Sequence, residues 1–245
     1  KVSVRETNGE DDEIISKLAK LEDGTSVTEY LSNVIVDGPE GRRMSIEEVG
    51  QMKLRDRQMV LLVVRILSLG KQLKFKHTCQ SSACVRKREM GTYEEFEWED
   101  DLTQFLQDLS KPVEVGKNGI NRHCVEPYPN GNEKVIETVL SDNVTKIRFK
   151  ALTGDLEQKD KTTDAQLNQN TPLYSRKLEI WDDGKYVQPS TFRGIPSRKM
   201  NEIRAIIVKQ DGYWQPITEI KCPNCNTISN ANILAITDFF FPVGI

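Results

Sequence analysis

A chain of 245 residues, 37% of them apolar, is long enough for one large domain or two ordinary ones and can bury a real core. Its net charge of -3, from 34 Lys and Arg against 37 Asp and Glu, speaks against a broadly basic face for nucleic acid or anionic lipid. The longest apolar run, MVLLVVRILSLG, is broken by Arg65 and falls short of the ~18 residues of a membrane span. The opening residues turn acidic without an apolar stretch, so no signal peptide is visible.

Val4 to Glu13, VRETNGEDDE, reads as a short strand, a tight turn with Gly9 at positive φ, and a helix start whose acids suit the helix dipole. Ile14, Ile15, Leu18 and Leu21 continue it at helical spacing. In DRQMVLLVVRILSLG, Asp56 is placed as an N-cap, Met59, Leu62, Val63, Ile66 and Leu67 share a face, and Gly70 ends the helix. A strand, KQLKFKHTC, follows. TYEEFEWEDDLTQFLQDL then reads as a strand and a helix; its acids alternate with Phe96 and Trp98 as in a half-buried strand with a solvated outer face.

Residues 111–143 carry turn signals among short β-prone runs and read as connecting hairpins. Ile147 to Glu157, IRFKALTGDLE, repeats the opening pattern before a polar stretch that reads as a loop or poor helix. SRKMNEIRAIIVKQDG reads as a helix with Ser197 as N-cap, an inner face of Met200, Ile203, Ile206 and Ile207, and a stop at Gly212. The strand YWQPITEIKC follows. The first cysteine arrives 9 positions after Gly70 and 10 after Gly212. This repeated order predicts an α+β fold of two pseudo-repeated lobes, 1–110 and 144–245, joined by the hairpins of 111–143. Each lobe would pack helices on a small antiparallel sheet ending in a zinc-ribbon-like cysteine knuckle.

Five cysteines in two close pairs and one single fit metal binding better than a disulfide framework. Cys222-Pro223-Asn224-Cys225 is a tight knuckle in which Pro223 presets the turn and Asn226 tolerates the left-handed conformation. Cys79 and Cys84, four residues apart, form a looser one. A structural zinc needs four ligands in a tetrahedron, and Cys79, Cys84, Cys222 and Cys225 supply them, tying the two lobes together. A thioredoxin-like dithiol at Cys222 and Cys225, or knuckles without metal, are the competing readings; the polar NTISNAN is not the apolar-faced helix such a dithiol opens. His77 is a candidate substitute ligand, against the reading of an unbound surface histidine. Cys124 is left over, as a small hydrophobe.

No phosphate-binding glycine loop, nucleophile elbow or His-Glu-x-x-His helix is present, and no enzymatic activity is expected. The closing ITDFFFPVGI is apolar for a chain end. Alternation along an extended segment lets Phe239 and Phe241 pack on the chain's own second lobe while Phe240 faces a partner; the alternative has all three rings closing the lobe's own core.

With these elements laid out, the chain resembles the T-even-type baseplate proteins of contractile-tailed phages, relatives of the small hub and tail-assembly proteins. The likeness is carried by VRETNGEDDEII, by LRDRQMVLLVVRILSLG running into a strand and cysteine pair, by IRFKALTGDLE and by DFFFP. The chain departs from that family's pattern at Asn8 before Gly9 and in the wider Cys79–Cys84 spacer. The resemblance implies a structural component of the baseplate, in its hub or wedge region, made in the host cytoplasm and built into the virion. Its partners would be other tail proteins, the hub, tape measure or wedge, with no small-molecule substrate, nucleic acid or membrane. An assembly chaperone that leaves before maturity and a zinc-ribbon nucleic-acid-binding protein are the alternatives.

Overall fold

The structure, a computed structural model, describes residues 1–18, 25–106, 135–156, 173, 176–210, 217–235 and 239. Expectations for Leu21, the hairpin residues 111–134, Cys124, the polar segment after Leu156, Gly212, Phe240 and Phe241 lie outside these residues, as do the side chains of Ile15 and Leu18. In chain order the elements are β1 (Ser3–Val4), α1 (Gly9–Leu18), α2 (Thr25–Val34), β2 (Ile35–Asp37), α3 (Ile46–Gly50), α4 (Leu54–Leu69), β3 (Gln72–His77), α5 (Ser82–Glu89), β4 (Phe96–Asp101), β5 (Val135–Val139), β6 (Lys146–Lys150), β7 (Glu179–Asp182), β8 (Lys185–Val187), α6 (Ser197–Gln210), β9 (Ile217–Lys221) and β10 (Ile228–Asn232). The mixture of helices with small antiparallel sheets is the α+β class expected.

Two compact units result: Lys1–Val60 with Glu126–Tyr213, and Leu61–Val125 with Trp214–Ile245. Each takes a segment from either half of the sequence, so these units do not coincide with the segments 1–110 and 144–245.

In the first unit, Asn8 caps α1. Its side-chain oxygen accepts from the N–H groups of Glu10 (3.0 Å) and Asp11 (3.3 Å), and Asp11 accepts in return from the Asn8 N–H at 2.8 Å. Arg5 donates to both oxygens of Asp11, at 2.6 and 3.1 Å, so this fully buried carboxylate is paired. Gly9 is the first helical residue and not at positive φ; the Asn8 side chain makes the turn that the sequence pattern assigned to glycine. Helix α1 packs on α2, and α2 on α3, burying Ile14, Tyr30, Leu31, Val34 and Val49.

Ser45 and Glu48 form a second capping box, at α3, and Arg42 donates to both Glu48 oxygens, at 2.9 and 2.5 Å. The Arg42 guanidinium, helped by the Ser45 backbone N–H, holds the Glu48 carboxyl from the usual 4.5 down to about 2. The folded pKa lies below the unfolded one, so this contribution is complete above about pH 4.5 and lost as pH falls towards 2. Both groups are more than a third exposed, which keeps the effect small. Denaturant titrations of Glu48→Gln should show a shallower loss of stability across that window than wild type; superimposable acid limbs would contradict the pairing.

The four-stranded sheet runs β5-β6-β7-β8, all antiparallel. Ile136, Ile147 and Phe149 point to one face, where Met200, Ile203 and Ile207 of α6 meet them with Leu140 and Leu178. This is the inner face expected for α6, with Ile206 half-buried. Ser197 is the first helical residue, not the cap; the Pro196 carbonyl accepts from Met200 at 3.1 Å, moving the boundary one residue upstream. Asp183 and Gly184, both at positive φ, turn the β7–β8 hairpin.

The Thr153-Gly154-Asp155 turn is stitched to the start of α4: Lys53 bridges Thr153, Leu54 donates to the Leu152 carbonyl and Gly154 to that of Met52. Gly154 is not at positive φ; a methyl there would overlap the Arg57 guanidinium, so close approach is the reason for glycine. Helix α4 starts at Leu54, placing Asp56 inside the first turn instead of at the cap. Gly70, at φ +81°, ends it as expected. The buried positions are Arg55, Arg57, Val60, Leu61, Leu62, Val64 and Arg65, and Leu67 is 48% exposed, so the buried positions differ from the face assigned by apolar residues alone. Three arginines are among them. Arg57 donates to the Thr28 hydroxyl at 2.9 Å. In the second unit, Arg65 donates to three backbone carbonyls: Phe239 (2.6 Å), Gly70 (2.8 Å) and Gln72 (3.3 Å).

Strands β3 and β4 of the second unit form an antiparallel ribbon with Phe75 opposite Trp98. Leu73 and Phe75 are buried, while Lys74 and Lys76 face out. Lys71, Lys74 and Lys76 lie within 3.2, 3.7 and 3.9 Å of Asp101, Glu99 and Glu95. The solvated acidic face expected for β4 is thus present, matched by lysines across the ribbon. Leu102 and Phe105 of the following 3-10 turn are buried, as is Phe239.

Candidate metal centre

Strand β3 delivers the chain to Cys79, after which Ser81, in an extended conformation, caps α5 by accepting from the Cys84 N–H at 3.3 Å. Cys84 therefore projects from the first turn of a helix, where a loose knuckle was expected. The second knuckle closes the β9–β10 hairpin, whose register pairs Lys221 with Ile228. Cys222 donates its N–H to the Thr227 carbonyl (2.9 Å) and accepts from Asn226 (2.8 Å), and Asn226 sits at φ +58°, the left-handed conformation its position called for.

Both knuckles lie in the second compact unit, and their four sulfurs all fall within 4.8 Å of one another. Cys79 and Cys225 are 3.7 Å apart, Cys84 and Cys222 3.6 Å. A disulfide is about 2.05 Å long, so all four are free thiols. Sulfurs at about 2.3 Å from a common metal in a tetrahedron stand about 3.8 Å apart, so the group needs little rearrangement to enclose one ion. Cys79, Cys84 and Cys222 are buried and Cys225 is partly exposed. Tyr93 and Phe96 pack against them. The cluster could bind a metal ion.

The protonation states favour a ligand set that must release protons. Burial pushes the Cys84 thiol up to about 12, overriding its place at a helix N-terminus. Hydrogen bonds from the Ser81 hydroxyl, then from the Thr227 hydroxyl and N–H, bring Cys225 down to about 5. For Cys79, burial raises the pKa but hydrogen bonding with Ser81 outweighs it, and the thiol is lowered. A dication binding here displaces the remaining thiol protons, so affinity rises with pH.

Several residues that the motif did not single out hold the centre in shape. Lys87 donates to the Asn224 carbonyl at 2.7 Å and Arg88 to that of Cys79 at 2.8 Å, so one helix grips both knuckles through their backbones. The Asn224 side chain pairs reciprocally with the Glu94 backbone, at 2.8 and 3.3 Å. Tyr93 accepts from the Cys79 N–H at 3.2 Å, with Arg88 stacked over its ring. The readable signal was Ser81 three residues before Cys84, a capping spacing, with basic residues in the last turn of the same helix.

His77 contacts the Ser229 hydroxyl through Nε2 at 3.0 Å and stands edge-on to Phe96; it is not part of the four-sulfur group. Burial lowers its pKa, keeping it neutral near pH 7. Of the proposed partner-binding rings, Phe239 is buried with its carbonyl held by Arg65. No helix among the described residues is long and apolar enough to cross a membrane. No family model, curated protein or solved structure matches this chain.

Proposed function

We propose that the cysteine centre holds one zinc ion and that the chain is a non-catalytic structural component of a contractile phage tail baseplate, acting in the hub or wedge region through protein–protein contacts. The observation that carries the zinc reading is the four-sulfur cluster itself. Thiolates are soft ligands, a tetrahedral sulfur set selects zinc or iron, and zinc with four protein ligands has no open position for a substrate. Such a centre fixes structure. The baseplate reading rests on the sequence resemblance. It is supported by the β3–β4 ribbon, whose lysines each lie near a carboxylate, an arrangement suited to protein contacts over a phosphate backbone.

Phe240 is the centre of the proposed partner contact, with Phe239 anchoring the segment from within its own unit. Mass spectrometry of purified phage particles tests the placement. The chain should be recovered with the hub and wedge proteins at a fixed copy number. Its recovery from assembly intermediates but not from finished particles would favour the assembly chaperone, and its absence from both would remove the tail reading.

A further inference from the structure

Among four sulfurs that all lie within 4.8 Å of one another, two close contacts cross between knuckles: Cys79 with Cys225 at 3.7 Å and Cys84 with Cys222 at 3.6 Å. Cys225 alone of the four is partly exposed. A small oxidant therefore meets Cys225 first. The Ser81 hydroxyl lies 3.1 Å from its sulfur, where it can donate to a thiolate. Cys222, in the same knuckle as Cys225, is held by its turn hydrogen bonds with its sulfur against Cys84.

We propose that the centre is also a redox site, in which hydrogen peroxide converts the zinc link between the knuckles into a Cys79–Cys225 disulfide. The proposal rests on the zinc reading. The Cys225 thiolate attacks one peroxide oxygen, the O–O bond breaks, and a sulfenic acid forms while hydroxide leaves and is protonated to water. The Cys79 thiolate then attacks the Cys225 sulfur, the S–O bond breaks, and a second hydroxide leaves as water once protonated. Two thiolates lose two electrons, the peroxide gains them, and two protons are consumed.

Closure requires the sulfurs to approach from 3.7 Å to the roughly 2.05 Å of a disulfide, with Cys79 in irregular backbone after β3 and Cys225 in the hairpin turn. Cys84 and Cys222 then remain as two ligands where four had closed the tetrahedron, and zinc departs. A second peroxide oxidises that pair by the same steps. The knuckles stay joined throughout, first by metal and then by sulfur.

The test uses the full chain carrying Cys124→Ser, so that the fifth thiol cannot enter the exchange. Zinc is first quantified by elemental analysis; stoichiometric peroxide is then added while a metallochromic dye follows release, and non-reduced peptides are mapped by mass spectrometry. The expected result is loss of one zinc per chain, with the Cys79–Cys225 peptide appearing first and dithiothreitol plus zinc restoring the starting state. Retention of zinc, or release accompanied by a Cys222–Cys225 disulfide or only by sulfinic acids, overturns the proposal. If the starting protein contains no zinc, the zinc reading fails separately, and the disulfide map of the metal-free chain still decides between cross-knuckle and within-knuckle pairing.

Discussion

Cys222→Ser, or treatment of the wild-type chain with a strong chelator, should strip the protection from hydrogen exchange of α5, β9 and β10. Strands β5 to β8, which share a core with α6, should keep theirs. The reason is the size of the term at stake. Cys79, Cys84 and Cys222 are buried against Tyr93 and Phe96, but the surrounding elements are two short hairpins and an eight-residue helix. Two-stranded hairpins are marginal alone, and a structural zinc supplies on the order of 10 kcal/mol of apparent binding free energy to the fold that holds it. Serine in place of one thiolate leaves a hydroxyl that binds zinc poorly and opens the tetrahedron. Cys124→Ser, which removes no ligand, is the control and should leave exchange unchanged. Equal protection in the two variants would mean that the cysteine cluster carries no metal of structural consequence.

Arg65→Met is expected to cost about 3 kcal/mol, read from denaturant unfolding. Two effects oppose each other. Burial disfavours the charged guanidinium and lowers its pKa, so removing the charge recovers desolvation. Against this, the carbonyls of Gly70, Gln72 and Phe239 lose a charged donor together; Gly70 and Gln72 are exposed and can turn to water, but the Phe239 carbonyl is buried, and an orphaned buried acceptor costs about 1 to 3 kcal/mol. The buried Phe239 acceptor, with the charged donor lost from all three bonds, outweighs one recovered charge. The loss should be concentrated at the chain end, because Phe239 is fully buried and its backbone is fixed by Arg65 from 174 positions away. A Met variant as stable as wild type would show that the charge costs as much as its hydrogen bonds return.

The elements that were legible in the sequence are those whose signals are local. The inner face of α6 is an uninterrupted spacing of Met200, Ile203, Ile206 and Ile207, and it packs as read. The Cys222 knuckle is dictated by Pro223 and by Asn226 at φ +58°, both properties of single residues. Aromatic and acidic alternation located β4. The Asp-Gly turn between Trp181 and Tyr186 carries an equally local signal.

What was not legible depended on distant partners. Helix α4 has apolar residues on all sides, so its buried face is chosen by where Arg57 and Arg65 find acceptors, and those lie in other segments. Cys84 lies in α5, not in a loose knuckle, because the Ser81 cap starts a helix that has no apolar periodicity to announce it. The repeat in element order suggested a division into halves. It could not reveal that β3–β4 and β9–β10, one ribbon from each half, fall in the same compact unit with all four cysteines.

X-ray absorption at the zinc edge, on the chain purified from cells without added metal, tests the central claim most directly. A single shell of four sulfurs at about 2.3 Å is the result predicted for Cys79, Cys84, Cys222 and Cys225 as a closed structural site. A shell containing nitrogen, as His77 would contribute, or a preparation with no zinc edge at all, would contradict it.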